Sequence, residues 1–295
     1  MNAKEELNPG NRQYLLSLRT YVMNAYLHDL VDGDITTRLF LRNRGLKIEA
    51  EIVAKQEGIL AGMQEAEWFL KQVKIELLNA KKDGASLKAG DKILRIKGRA
   101  DSILAAERTL LNLLQRMSGV ATATKRMKEK LPKGVRLLAT RKTLWGLLDK
   151  RAVTVGGGET HRLNLSDAVL IKENHLMLID KLEKRLKRVF RKSKKTRFVE
   201  IEVESIAEAD EFLAIYEKFK TKYPRKVVIM LDNFKPSDIA LVAPKLHKAG
   251  LIVEVSGGIG EKNAVKYCAK GVSAVSSSAI TTKADSLDIS LNILK

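Results

Sequence analysis

Apolar positions near the start of the chain recur at helical spacing. Leu15, Leu18, Val22, Tyr26 and Leu30 lie three or four apart and predict a helix over 11–31. Asp32-Gly33-Asp34 closes it, because glycine supplies the backbone freedom a helix C-terminus uses. Residues 46–60 and 92–97 read as strands around a second helix at about 62–79, with turn chemistry at Asp83-Gly84 and Ala89-Gly90-Asp91. Helix, strands, helix, strands make an α+β module. From Asp101 to Lys130 the spacing of Ile103, Leu104, Leu110, Leu111, Leu114 and Met117 predicts a long helix, which Gly119 is placed to bend or interrupt. Pro132 and Gly134 end that segment.

The pattern then changes to short apolar, β-branched runs between amphipathic stretches. Seven runs read as strands: VRLLA (135–139), AVTV (152–155), AVLI (168–171), FVEIEV (198–203), KVVIML (226–231), LIVEV (251–255) and VSAVS (272–276). Helices are expected between most of them, at about 176–192, 206–222, 236–248 and 261–269. Near-continuous apolar strands alternating with helices indicate a parallel sheet covered by helices. An α/β barrel fits better than a doubly wound sheet, because polar residues follow many different strands; a doubly wound sheet concentrates its chemistry at one switch point. The last segment, LDISLNILK, reads as a short helix.

Composition adds a few bounds. A chain of 295 residues with 45% hydrophobic content suits one large domain or two smaller ones. The net charge of +19 admits three explanations: nucleic-acid binding, an anionic substrate, or a lysine-rich solvated surface. The excess is spread along the chain, which favours the surface, and aromatics are too few to build stacking platforms for single strands. The densest positive run, residues 180–197, carries one buried stripe of Leu182, Leu186, Val189 and Phe190, so its cations form the solvated face of a helix. The single Cys268 excludes an intrachain disulfide and fits a reducing compartment. A polar N-terminus and the absence of any apolar run near ~20 residues predict a cytoplasmic protein with no membrane partner.

The candidate chemistry sits at the ends of the strands. Thr140-Arg141-Lys142 follows the first run and Lys172 the third; Glu202, Asp232, Ser256-Gly257-Gly258 and Ser276 to Ser278 follow later ones. Gly156-Gly157-Gly158, His161 and Arg162 lie between the second and third. Arginines fork onto carboxylates and phosphates, and lysines add point charge. The SGG turn exposes backbone N–H groups ahead of the helix expected near 261. Glu202 and Asp232 are hard oxygen donors suited to Mg²⁺ or to a developing cation. Each has a plainer alternative: a glutamate on that strand can simply pair with a lysine, His161 can cap a loop, and Lys172 can be a salt-bridge partner or a Schiff-base lysine. Together they describe a barrel mouth for a strongly anionic small molecule.

The strings GDITT (33–37), EGILAG (57–62), ERTLLNLLQRMSGVATAT (107–124), ATRKT (139–143), GGGETHRLNLSDAVLIKENH (156–175), EIEVES (200–205), MLDNF (230–234), EVSGGI (254–259) and LDISL (287–291) give the chain a resemblance to the quinolinate phosphoribosyltransferases. The resemblance implies an N-terminal α+β sandwich domain followed by an incomplete TIM-like α/β barrel, here 1–119 and 120–278, with 279–295 packing back on the first. It implies a homodimer with a shared active site, and conversion of quinolinate and 5-phosphoribosyl-1-diphosphate into nicotinate mononucleotide, CO₂ and diphosphate with Mg²⁺. Arg108 would reach the quinolinate carboxylates from the partner subunit, and Thr140, Arg141, His161, Arg162 and Lys172 would complete that pocket. Lys142 would face the diphosphate, and Glu202 and Asp232 the ribose and metal. Ser256, Gly257, Gly258 and Ser278 would hold the 5′-phosphate. Four residues depart from the pattern: Trp145 stands for a usual Pro, Asn164 and Ser278 for Gly, and Thr282 for His. A sibling enzyme using another aromatic carboxylate such as nicotinate, and a basic nucleic-acid-binding protein, are the competing readings.

Overall fold

The structure is a computed structural model and describes residues 3–41, 43, 45–193, 195–222 and 226–294. After a 3₁₀ turn at Lys4–Glu6, Asn11 caps the first α-helix, its side chain accepting the N–H groups of Gln13 and Tyr14. Helix Arg12–Leu18, a π turn Arg19–Met23 and helix Asn24–Asp29 follow without a break, with Tyr14, Leu18 and Val22 buried. The GDITT string is a helix start. Gly33 takes φ 77° and Asp34 accepts the Thr37 N–H at 3.0 Å to cap Ile35–Phe40.

Strands β1 (Lys47–Ala54) and β2 (Gly58–Ile59) lead to helix Met63–Gln72, then β3 (Glu76–Ala80), β4 (Ser86–Leu87) and β5 (Lys92–Arg99). The helix expected to reach 79 stops at Gln72. Lys74 is left-handed at φ 58°, and the chain resumes as a strand beside β5. Helix Ala100–Lys130 continues without interruption through Gly119. A Cβ there would lie 2.0 Å from the Asp285 carbonyl oxygen, so this glycine admits a crossing backbone.

The parallel sheet comprises β6 (Arg136–Ala139), β7 (Val169–Ile171), β8 (Val199–Val203), β9 (Val227–Asp232), β10 (Ile252–Ser256) and β11 (Val272–Ser277). Its order is β6-β11-β10-β9-β8-β7, every pair parallel. The first strand of the series lies beside the last and the others follow in sequence, which is the order of a barrel. Among the described residues β6 and β7 do not pair, and this leaves a seam. Glu159 bonds to β6 at that point, its N–H to the Leu137 carbonyl at 2.8 Å. The barrel is therefore incomplete, with six strands where seven were expected. AVTV belongs to helix Leu147–Val155, whose buried face is Leu148, Ala152 and Val153. A four-residue apolar run has no period of its own, and its neighbours decide its state. The covering helices are Glu173–Leu176, Leu182–Lys192, Ile206–Phe219 and Pro236–Lys248, whereas 261–269 holds only a 3₁₀ turn, Ala264–Tyr267. In Leu182–Lys192, Leu186 and Phe190 are buried and the cations face outward; Lys194 of the basic run lies outside the described residues.

The C-terminal segment is a strand where a helix was expected. β12 (Ile289–Leu294) pairs antiparallel with β1, giving the sheet order β12-β1-β5-β3. Leu287, Ile289, Leu291 and Ile293 alternate, which is the strand period. The chain forms two compact units. One contains Arg126–Lys142 and Gly158–Ile280 with the parallel sheet; the other contains Lys4–Lys125, Thr143–Gly157 and Thr281–Lys295 with the antiparallel sheet. No helix among the described residues is long and apolar enough to cross a membrane.

Candidate active site

The C-terminal ends of the parallel strands carry the polar groups. Beyond β6, Thr140 is half-buried and its hydroxyl accepts the Lys142 N–H at 3.0 Å, a turn that leaves Arg141 and Lys142 exposed. Beyond β7, the Lys172 ammonium donates to Glu202 at 2.6 Å. Glu202 is buried in β8; burial raises its carboxyl and the Lys172 bond opposes that shift, while Glu173 and Asp232 add to it. Glu173 is held below the usual carboxylate range, chiefly by Glu202 beside it. At the end of β9, Asp232 accepts from the Asn233 amide at 2.8 Å. Carboxylate oxygens of Glu173, Glu202 and Glu204 lie within 4.8 Å of one another.

Between β6 and β7 the chain buries His161 and Arg162. Arg162 is 7% exposed, and its guanidinium is held below the ordinary value by burial and by repulsion from Arg141, against the attraction of Glu200 and Asp167. Two guanidiniums that repel one another at a strand end create a demand for an anion. Asp167 is itself taken by Arg197, which also donates to the His161 carbonyl at 3.0 Å. His161 takes φ 53° and points into the sheet interior, its Nε2 2.9 Å from Glu200 and 3.5 Å from Glu254. Burial alone would lower the imidazole, but Glu254 and Glu200 outweigh it and push it up to about 10. Glu200 is raised to about 7, by burial first and then by Glu254.

Past β10, Ser256, Gly257 and Gly258 form a turn, with Gly257 at φ 97° and Gly258 at φ 61°. A Cβ on Gly257 would meet the Asn233 backbone N at 2.6 Å, so only glycine lets the two strand ends close. Asn263 braces the turn, accepting from Gly260 and donating to the Gly258 carbonyl. The 3₁₀ turn that follows is too short to add a helix dipole, so the expected helix contributes nothing to this cradle. Ser278 is half-buried and does not take a positive φ, so serine sits there without strain.

The remaining residues belong to the other unit or to loops. Arg108 is exposed on helix Ala100–Lys130. Trp145 stacks on Tyr21 with ring centroids 6.3 Å apart, a contact proline would lack. The Asn164 side chain accepts from the Ser166 N–H and hydroxyl, fixing a turn that glycine leaves free. Glu254 and Glu173 drew no attention in the sequence. Glu254 is two residues before the SGG turn and on the inward face of β10, a position that strand alternation alone could have flagged.

These features define an enzyme of the α/β-barrel class whose strand ends gather cations and carboxylates around an anionic substrate. Two family models cover most of the chain: "Quinolinate phosphoribosyl transferase, N-terminal domain" over 34–118 and the C-terminal domain of the same family over 120–292. The chain belongs to the quinolinate phosphoribosyl transferase family. It is 40% identical over 260 residues to a protein of Archaeoglobus fulgidus, covering 84% of this chain and 95% of the relative. A protein of Methanothermobacter thermautotrophicus is 38% identical over 269 residues, 88% and 93% of the two chains. Both are named probable nicotinate-nucleotide pyrophosphorylase (carboxylating). The solved nicotinate-nucleotide pyrophosphorylase of Francisella tularensis superposes with a TM-score of 0.82 at 31% identity, over 94% of this chain and 96% of that one.

Proposed function

We propose that this chain joins quinolinate to 5-phosphoribosyl-1-diphosphate and forms nicotinate mononucleotide, CO₂ and diphosphate, a step of NAD biosynthesis. The observation that carries the reading is the set of groups at one end of the parallel sheet. Arg141, Lys142, Arg162 and Lys172 follow β6, the seam segment and β7, beside Glu202 and Asp232, with a two-glycine turn after β10. Quinolinate brings two carboxylates, and the co-substrate a phosphate and a diphosphate. Thr140, Arg141, Arg162 and Lys172 would take the carboxylates, with Arg108 supplied by the partner subunit of a homodimer. Ser256, Gly257, Gly258 and Ser278 would take the 5′-phosphate through backbone N–H groups, and Lys142 the diphosphate. Holding two mutually repelling anions in contact is the main task of the protein.

The pyridine nitrogen attacks the ribose C1 while the C1–O bond to diphosphate breaks, its electrons leaving with diphosphate. Positive charge develops on the ribosyl ring, and Glu202 and Asp232 face it. The alkylated nitrogen then accepts the electron pair left when the neighbouring carboxylate departs as CO₂, and a proton from solvent replaces it. Mg²⁺ suits the donors present, because Glu202 has Glu173 and Glu204 within 4.8 Å and a charge interaction with Asp232. Bound by Glu202 and Asp232, it would neutralise the diphosphate as that group leaves. The single cysteine favours a cytoplasmic setting.

The test is direct. Purified protein with quinolinate, phosphoribosyl diphosphate and MgCl₂ should release CO₂ and nicotinate mononucleotide in equal amounts. Turnover with nicotinate and none with quinolinate would reassign it to a sibling phosphoribosyltransferase. For the shared site, inactive Arg108→Ala and Lys172→Ala chains should regain activity when mixed. Confirmed subunit exchange without recovery would refute a site built from two chains.

A further inference from the structure

Three ionisable side chains meet inside the parallel sheet, beneath the strand ends. His161 Nε2 stands 2.9 Å from a Glu200 oxygen and 3.5 Å from a Glu254 oxygen, and all three side chains are more than nine-tenths buried. They come from separate elements: β8, β10 and the segment crossing the seam. Two carboxylates in so dry a place repel one another, and a buried charge needs a counter-charge to persist. A neutral imidazole brings no charge, whereas an imidazolium supplies the counter-charge to both carboxylates, which approach the same Nε2. His161 is also fixed from other sides. Its backbone is left-handed, its carbonyl is bonded by Arg197, and its ring stands at 66° to Phe198 with centroids 5.3 Å apart. Arg162 is the next residue, and it feels Glu200 from below and Arg141 and Asp167 alongside.

We propose that Glu200 and Glu254 are positioning residues that clamp His161 as a buried imidazolium and so fix the adjacent Arg162 for the anion at the barrel mouth. The proposal rests on the quinolinate reading of the mouth. The charged groups around His161 are Glu200 from β8, Glu254 from β10, Arg197 on its carbonyl, and Arg162 with its neighbours Arg141 and Asp167. Removing the Glu254 charge weakens the hold on the imidazole proton, so the defect should grow with pH and fall on quinolinate.

The experiment compares Glu254→Gln and Glu254→Asp with the unaltered chain across pH, reading kcat and both KM values. Glu254→Gln should raise the quinolinate KM by about tenfold near pH ~9 and far less near pH ~6, with the KM for phosphoribosyl diphosphate within about twofold. Glu254→Asp should restore most of the difference. In parallel, ring nitrogen NMR of the unaltered protein should show His161 protonated to at least pH ~8. A neutral imidazole at pH ~7, a stoichiometric divalent metal on the three side chains, or equal pH-independent changes in both KM values would overturn the proposal. If the unaltered protein does not turn over quinolinate, the substrate reading falls, and the NMR measurement still decides the clamp by itself. The same measurement serves if a variant fails to fold.

Discussion

Replacing Asp149 breaks four hydrogen bonds at once. Its carboxylate accepts two bonds from Arg116, at 2.9 and 2.8 Å, and the N–H groups of Leu144 and Trp145, at 2.9 and 3.1 Å. Asp149 is fully buried and Arg116 is 8% exposed. In Asp149→Ala the guanidinium keeps its bond to the Thr281 carbonyl, at 2.7 Å, and loses its counter-charge. Stranding a buried charge costs about 3–5 kcal/mol, and the two partly buried N–H groups add roughly 1 kcal/mol each. Arg116→Met leaves Asp149 with its two backbone donors, so its cost should sit near ~3 kcal/mol. The double variant removes both charges and should cost less than the sum of the singles by about 2 kcal/mol or more. Urea denaturation followed by Trp68 and Trp145 fluorescence, both in the antiparallel-sheet unit, measures all three. Additive single effects, or an Asp149→Ala cost below that of Arg116→Met, would refute the reasoning that this carboxylate serves the backbone as well as the arginine.

Gly119→Ala places a methyl 2.0 Å from the Asp285 carbonyl oxygen, and the resulting shift should cost roughly 1–3 kcal/mol and speed amide exchange in β12. Glu202→Gln should lower kcat by about 10²-fold or more while quinolinate binding persists, measured by calorimetry; equal losses in both would remove Glu202 from the chemistry. His161, raised from 6.5 to about 10, and Glu200, raised from 4.5 to about 7, both bind protons more tightly when folded. Their contribution is complete below the unfolded values and fades as pH climbs to 7 for Glu200 and to 10 for His161. Amide exchange in β8 should therefore quicken from neutral to alkaline pH beyond the intrinsic rate, and a flat protection profile would contradict it.

The parallel strands were legible because their apolar residues are contiguous and β-branched, a signal that needs no partner to read. Besides the helix expected near 261, three elements differ from the sequence reading, for separable reasons. AVTV has strand composition but lies in a helix, because four apolar residues cannot display a period and the register of Leu148 with Ala152 and Val153 decides. Residues 287–294 do alternate, yet their pairing edge is β1, far away in the chain. The helix after Gly62 ends ten residues on, where left-handed Lys74 breaks it; a lysine carries no helix-stop signal of its own.

The site divides in the same way. By itself the sequence determined the inventory: cations and carboxylates after strand-like runs, a two-glycine turn, and an ordered set of strings that placed the chain in its family. Residue type and spacing suffice for that, since a parallel sheet delivers every strand's last residues to one end. Tertiary structure alone decided how those groups pair. Lys172 holds Glu202, Arg162 stands against Arg141, and His161 turns inward onto Glu200 and Glu254. Glu254 lies 93 positions after His161, and no local pattern encodes a contact at that range. Whether a histidine in such a chain is a neutral ligand contact or a buried cation depends on distances and burial, which exist only once the sheet has closed.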